Sequence, residues 1–233
     1  MIDLMLSGYL PALLRGAEVT ISLAILSLGL SVFLGLVGAL AKQSHSRLLV
    51  SLATVYTTVI RGVPEFVLML LIFYGGQIFL NMLFTAMGLQ PPDLNAFLTA
   101  VLTIGFIFGA YFTETFRGAI LAVPRGQMEA ALAFGLPQWK AFFRILFPQM
   151  LRIALPAAGN NWLVLLKSTA VASLIGLHDV MFIADQAGRV TQTPFTFYLA
   201  ACIVYLVLTT GSTRLLMRLN ISYSKGVREG RLQ

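Results

Sequence analysis

Charge is what this sequence lacks most. Only 11% of its 233 residues are Asp, Glu, Lys or Arg, against roughly a quarter in a soluble domain. The acids are the scarcer sign, 9 against 16 bases, and leave a formal net charge of +7. So few charges cannot cover a water-facing surface of this size, which excludes an ordinary soluble globule. Cysteine is nearly absent as well. The single Cys202 excludes an internal disulfide, and its apolar neighbours predict a small buried hydrophobe. His45 and His178 stand alone in or near loops, away from any grouping of Cys, Asp and Glu with metal-ligand spacing, so no metal site is expected. There is no Gly-x-Ser-x-Gly nucleophile motif and no phosphate loop ending in Gly-Lys-Ser/Thr. A membrane-embedded enzyme therefore lacks its catalytic constellation, and no cofactor is expected on this chain.

Apolar residues are abundant instead. Hydrophobic types make up 58% of the chain, and mean hydropathy is +0.86. Crossing a bilayer takes about 20 apolar residues. That rule predicts an all-α integral membrane protein with five spans, at 19–41, 66–84, 97–116, 153–175 and 195–216. The first run is too long for a signal-peptide core of about 7–15 residues, and Asp3 and Glu18 offset Arg15 upstream. It reads as a retained helix. Before the second span, Arg61-Gly-Val-Pro64 predicts a kink or break after an amphipathic lead-in, because proline removes a helix hydrogen bond and restrains the residue before it. Gly88-Leu-Gln-Pro-Pro-Asp93 reads as a turn-rich loop, and 176–193 as a loop holding His178, Asp179, Asp185 and Arg189. No repeat and no separate soluble domain is evident, so residues 1–233 read as one transmembrane domain.

Basic residues set the orientation. Lys42, Arg47, Arg117, Arg125, Lys140, Arg144, Arg152 and the tail with Arg218, Lys225, Arg228 and Arg231 fall on one side, and Arg15 and Arg189 on the other. The positive-inside rule makes the first side cytoplasmic. The N-terminus is then outside and the C-terminus inside. The same placement attributes the positive charge to topology and not to nucleic acid.

The cytoplasmic segment at about 120–150 carries the densest pattern. Residues 127–134 are strong helix formers, Gly135 supplies a C-terminal cap, and Pro137 stops the helix. A second short helix follows over 138–147, with Trp139, Phe142, Phe143 and Leu146 on one stripe, and Pro148 ends it. Such a bent helix pair suits docking into a groove on a cytoplasmic partner. An ordinary interfacial amphipathic helix would share the stripe but not the fixed bend.

Glu129, Ala130 and Ala131, then Gly135 four residues on, then Ile145 and Pro148 resemble the coupling loop of ATP-binding-cassette importer permeases. Phe147 stands where that family usually has leucine. Gly109-Ala-Tyr-Phe-Thr-Glu-Thr-Phe-Arg-Gly-Ala119, Val123-Pro-Arg-Gly126 and Leu166-Lys-Ser-Thr169 look like the polar amino-acid branch. Thr57-Thr-Val-Ile-Arg-Gly-Val-Pro-Glu65 and Val67-Leu-Met-Leu-Leu-Ile-Phe-Tyr-Gly75 are similar to the Q-type subunits of histidine and lysine–arginine–ornithine systems, and of octopine and nopaline systems. The resemblance implies a bacterial inner-membrane permease for a basic amino acid or related opine. It also implies an ATPase dimer that binds ATP and Mg, a second homologous permease subunit or a second copy, and a periplasmic amino-acid-binding protein. A self-contained secondary transporter or channel is the alternative, and it leaves the loop pattern unexplained.

Ionisable groups within spans are costly, so those facing a pathway are functional candidates. Arg61 and Glu65 flank the break and are path candidates, and Glu65 could instead pair with Arg61 or favour the following helix start. In the Q-type subunits the position is usually aspartate, one methylene shorter. Glu114 could line the path or pair with Arg117 three residues on. Asn160, Asn161, Lys167, Ser168 and Thr169 make the fourth span unusually polar. They could line the path or bond between helices. Ser31, Gly35, Gly38 and Ala39 are small residues at helical spacing, which predicts a packing face.

Overall fold

The computed structural model describes residues 2–90 and 95–224, with side chains over 8–90 and 95–223. Pro91, Pro92 and Asp93 of the turn-rich loop, the Asp3 side chain, and Lys225, Arg228 and Arg231 of the tail lie outside the described residues. The described chain is helical throughout. We label its helices α1 (Ile2–Lys42), α2 (Arg47–Gly62), α3 (Glu65–Ala86), α4 (Ala96–Ala122), α5 (Arg125–Ala133), α6 (Gln138–Ile175), α7 (Val180–Thr191) and α8 (Pro194–Ser224). Five of them, α1, α3, α4, α6 and α8, are long and apolar enough to cross a membrane.

All five expected spans exist, and each is longer than its apolar run. Two loop expectations are corrected. Residues 176–193 contain α7, whose buried residues Val180, Ala184, Ala187 and Gly188 recur at helical spacing. Charged Asp185 and Arg189 on its outer face, joined at 2.9 Å, disguise that period. Pro148 does not end a helix. A π-turn at Phe142–Leu146 resets the hydrogen-bond register, and the proline then falls in the first turn of the following α-helical stretch, where its missing N–H is no loss. Thus α6 runs unbroken from the loop into the span.

The core is the α1–α4 pair. Gly35 and Gly38 let the backbones approach: a Cβ on Gly35 would lie 2.5 Å from Phe112 Cβ, and one on Gly38 2.3 Å from Thr113 Oγ1. The Ser31 hydroxyl donates to the carbonyl of Ser27 at 2.6 Å and lies 3.2 Å from that of Gly105. The predicted packing face is therefore present, with Ala39 wholly buried beside it. Gly35→Val should prevent this contact and sharply reduce folded protein, since overpacking costs about 1–3 kcal/mol even where neighbours can shift. Gly29→Ala, at a position open to 4 Å, should be neutral. Detergent-solubilised yield and Tm of the two variants check the difference.

By contrast α3 and α8 bury little within the chain. Leu71, Ile78, Phe79 and Met82 of α3, and Ile203, Leu206 and Val207 of α8, are exposed. Cys202 is also exposed, which corrects its expected burial. In a bilayer an apolar face needs no partner from its own chain, so an apolar run does not imply an interior position.

Helix α7 is wedged between α1 and α8 by Leu13, Val180, Ala184, Phe197 and Ala201. Its start is capped by Asp179, which accepts from the Phe182 N–H at 2.9 Å. The other Asp179 oxygen is buried without a partner. Burial pushes this carboxyl up to about 6, against backbone amides that favour the anion. The sign follows. Between about pH 4 and 6 the folded chain keeps a proton that the unfolded chain has released, so stability falls as pH rises through that window. Two pH units correspond to about 3 kcal/mol. Asp179→Asn keeps a capping acceptor and does not titrate. Its Tm advantage over the parent should therefore be absent near pH 4 and full by pH 7, and a constant difference would contradict the assignment.

Candidate functional site

Two sites stand out, one at the membrane surface and one inside the spans. The surface site is the α5–α6 turn. Gly135 adopts φ +79°, the left-handed conformation that glycine tolerates best. Its N–H donates to the Leu132 carbonyl at 2.9 Å, and the Leu136 N–H donates to the Ala131 carbonyl at 3.1 Å. This hydrogen-bonded cap fixes the angle between the helices, as the sequence predicted. Ala131 is buried and anchors α5, while Glu129, Ala130 and Gly135 face outward and Ile145 is half-buried. Pro148 is exposed at the π-turn. Phe134 is 86% exposed, Trp139 64% and Phe143 60%, with the Lys140 ammonium 5.3 Å from the centroid of the Trp139 ring. That much aromatic surface on a rigid turn suits insertion into a protein groove.

The inner site is the break between α2 and α3. Val63 is extended (φ −112°, ψ 141°) and Pro64 follows at φ −55°. The chain leaves α2 there and re-enters a helix with Glu65 in its first turn. Ser168, at the point where α6 tightens into its 3-10 turn Thr169–Ile175, donates to Glu65 Oε2 at 2.9 Å. Tyr111, near the middle of α4, lies beside the Glu65 carboxylate. The Arg61 guanidinium lies 5.5 Å from the centroid of the Tyr111 ring, a cation–π distance. Sequence reading named Glu65, Arg61 and Ser168 as path candidates and offered an Arg61–Glu65 pair, but it did not bring Ser168 to Glu65 or single out Tyr111. The Tyr111 signal was a polar-tipped aromatic three residues before Glu114 in a largely apolar span.

The remaining candidates lie elsewhere. Glu114 pairs with Arg117 at 2.8 Å and also with Lys42 at 2.5 Å, where Lys42 in turn reaches Thr57 at 2.7 Å. Both of its oxygens are therefore engaged at the end of α1. Asn161 donates to Thr115 at 2.9 Å and ties α6 to α4, while Asn160 is exposed. Thr169 is buried and lies 3.4 Å from the Tyr205 hydroxyl. Lys167 is exposed in a groove of about 360 Å³ shared with Met181, Tyr198, Cys202 and Tyr205, on the side of α6 facing α7 and α8. Among the described residues no group of His, Cys, Asp and Glu could hold a metal ion.

The profile of the family described as the binding-protein-dependent transport system inner membrane component matches residues 20–220. The chain belongs to that family. The permease is 51% identical to the histidine/lysine/arginine/ornithine transport system permease protein HisQ of Escherichia coli K12, over 98% of this chain and 100% of that one. It is 40% identical to the nopaline transport system permease protein NocQ of Agrobacterium fabrum, over 95% of each. A chain in the crystal structure of an amino acid ABC transporter with histidines superposes with TM-score 0.80 at 32% identity, covering 94% of the permease and 97% of that chain. The permease is thus a multi-pass inner-membrane component of an ABC transporter, of the polar amino-acid type, and not the ATPase.

Proposed function

We propose that the permease imports a basic amino acid (histidine, lysine, arginine or ornithine, with opines as chemical relatives) and takes its energy from ATP bound with Mg on a partner ATPase dimer. The observation that carries the substrate class is the Glu65 carboxylate, set at a helix break inside the spans beside Ser168 and Tyr111. A cation leaving water needs such a counter-charge, and an acid there is costly without one. The 51% identity to HisQ supports the same reading.

The N-terminus lies outside and the C-terminus in the cytoplasm, which puts Arg125, Lys140 and Arg144 of the coupling loop on the inner face. A periplasmic binding protein delivers substrate to the outer face. The exposed faces of α3 and α8 meet lipid and a second, homologous permease subunit or a second copy of the chain. Closure of the ATPase dimer pushes on the turn of Glu129, Ala130, Ala131 and Gly135, and on Ile145 and Pro148. Because α6 is continuous from that turn to Ser168, displacement at the loop reaches the Glu65 site along one continuous helix. ATP thereby selects between inward- and outward-open arrangements. Asn161 and Glu114 brace helices around that path.

Competition in proteoliposomes holding the complete transporter tests the substrate class. Excess lysine, ornithine or histidine should suppress ATP-dependent uptake of labelled arginine about tenfold or more, while glutamine should not. Equal suppression by glutamine would overturn the basic reading.

A further inference from the structure

Arg61 and Glu65 stand four residues apart, the spacing at which opposite charges on a straight helix meet. Here the break separates them. The ion pairs among the described residues are Lys42–Glu114, Arg117–Glu114 and Arg189–Asp185, and Arg61 joins none of them. Attraction between unlike charges grows steeply as water is excluded, so an Arg and a Glu this close in sequence collapse together unless each is held. Each is held. Ser168 fixes the carboxylate at 2.9 Å, and the Tyr111 ring carries the guanidinium at 5.5 Å. The result is a cation and an anion kept apart around one tyrosine. Arg61 is exposed, and its planar fork of donors matches a carboxylate.

We infer that Arg61 binds the α-carboxylate of the transported amino acid while Glu65 faces its cationic end. The inference rests on the proposed basic amino-acid reading and adds the specificity for a free carboxylate. Lys167 is the competing cation, but it faces the groove of Tyr198 and Tyr205 on the α7–α8 side. A lipid phosphate is the other anion that could satisfy Arg61.

The test uses the complete transporter in nanodiscs of defined lipid, without binding protein, and measures displacement of radiolabelled arginine. Agmatine is arginine without its carboxylate, and citrulline is its near-isostere with an uncharged side chain. The parent should prefer arginine to agmatine about tenfold or more, the scale of one charge-assisted bond. Arg61→Gln should bring arginine and agmatine within about threefold and keep the preference over citrulline. Glu65→Gln should do the reverse. Arg61→Lys should restore part of the carboxylate preference, which separates lost charge from lost structure. A parent indifferent to the carboxylate, an Arg61→Gln complex that keeps full preference, or loss of preference in Lys167→Met instead, would each overturn the inference. The first of these decides the matter even if the Arg61→Gln complex fails to assemble. A parent that binds none of arginine, lysine, ornithine and histidine would overturn the substrate reading itself, and this inference with it.

Discussion

Glu65→Gln lowers ATP-driven uptake of arginine and lysine about 10- to 100-fold, the equivalent of losing one hydrogen bond to a charged group, about 1.5–3 kcal/mol. The substitution keeps side-chain volume, and the amide oxygen can still accept from Ser168, which now lies 2.9 Å from the carboxylate. The fold around the break is therefore retained, and the loss is one of charge. Glu65→Asp separates charge from reach. It restores the anion but withdraws it by one methylene, so uptake returns with a preference shifted from ornithine toward the longer arginine. Initial rates for the three substrates in proteoliposomes, normalised to assembled complex, check both variants. An equal fall for basic and neutral solutes in Glu65→Gln would make the residue structural.

Gly135→Val abolishes most transport while leaving the chain in the membrane. A Cβ at Gly135 would meet nothing within 4 Å, so space is not the obstacle. The obstacle is the left-handed backbone at φ +79°, which disfavours side chains by about 1–2 kcal/mol, and β-branched ones most. The turn rebuilds, the hydrogen bonds to Leu132 and Ala131 are lost, and Phe134 and Trp139 no longer present one surface. Uptake should fall about tenfold or more, with less ATPase retained on the purified permease, because a docking contact of this kind is lost as a unit. Gly135→Asn, which tolerates the same backbone, should keep most of both. Unchanged ATPase co-purification and uptake in the valine variant would defeat the coupling assignment.

Local rules made much of this chain legible. Apolar length located the five spans, Arg61 to Pro64 located the break, and the helix-former run ending at Gly135 located the cap. These features depend on neighbours within a turn or two. What sequence reading missed depends on residues brought from afar. Lys42 reaches Glu114 across 72 positions, and Ser168 reaches Glu65 across 103. No periodicity encodes such partners, although residue type did flag both acids as needing one. The π-turn before Pro148 was missed because a proline after an apolar stripe reads as a stop unless the register is known to shift. Helix α7 was missed because Asp179, Asp185 and Arg189 made a short amphipathic helix look like a polar loop. Cys202 was misplaced because burial rules for water do not hold where lipid is the solvent.

In the proposed mechanism this chain moves solute only when another polypeptide hydrolyses ATP. The direct measurement is arginine uptake into proteoliposomes holding the permease with its co-purified partners and binding protein, with and without ATP inside, beside vesicles holding the permease alone. Uptake that requires both internal ATP and the partners is the expected result. Concentrative uptake by the permease alone, indifferent to ATP, would make it a self-contained secondary transporter instead.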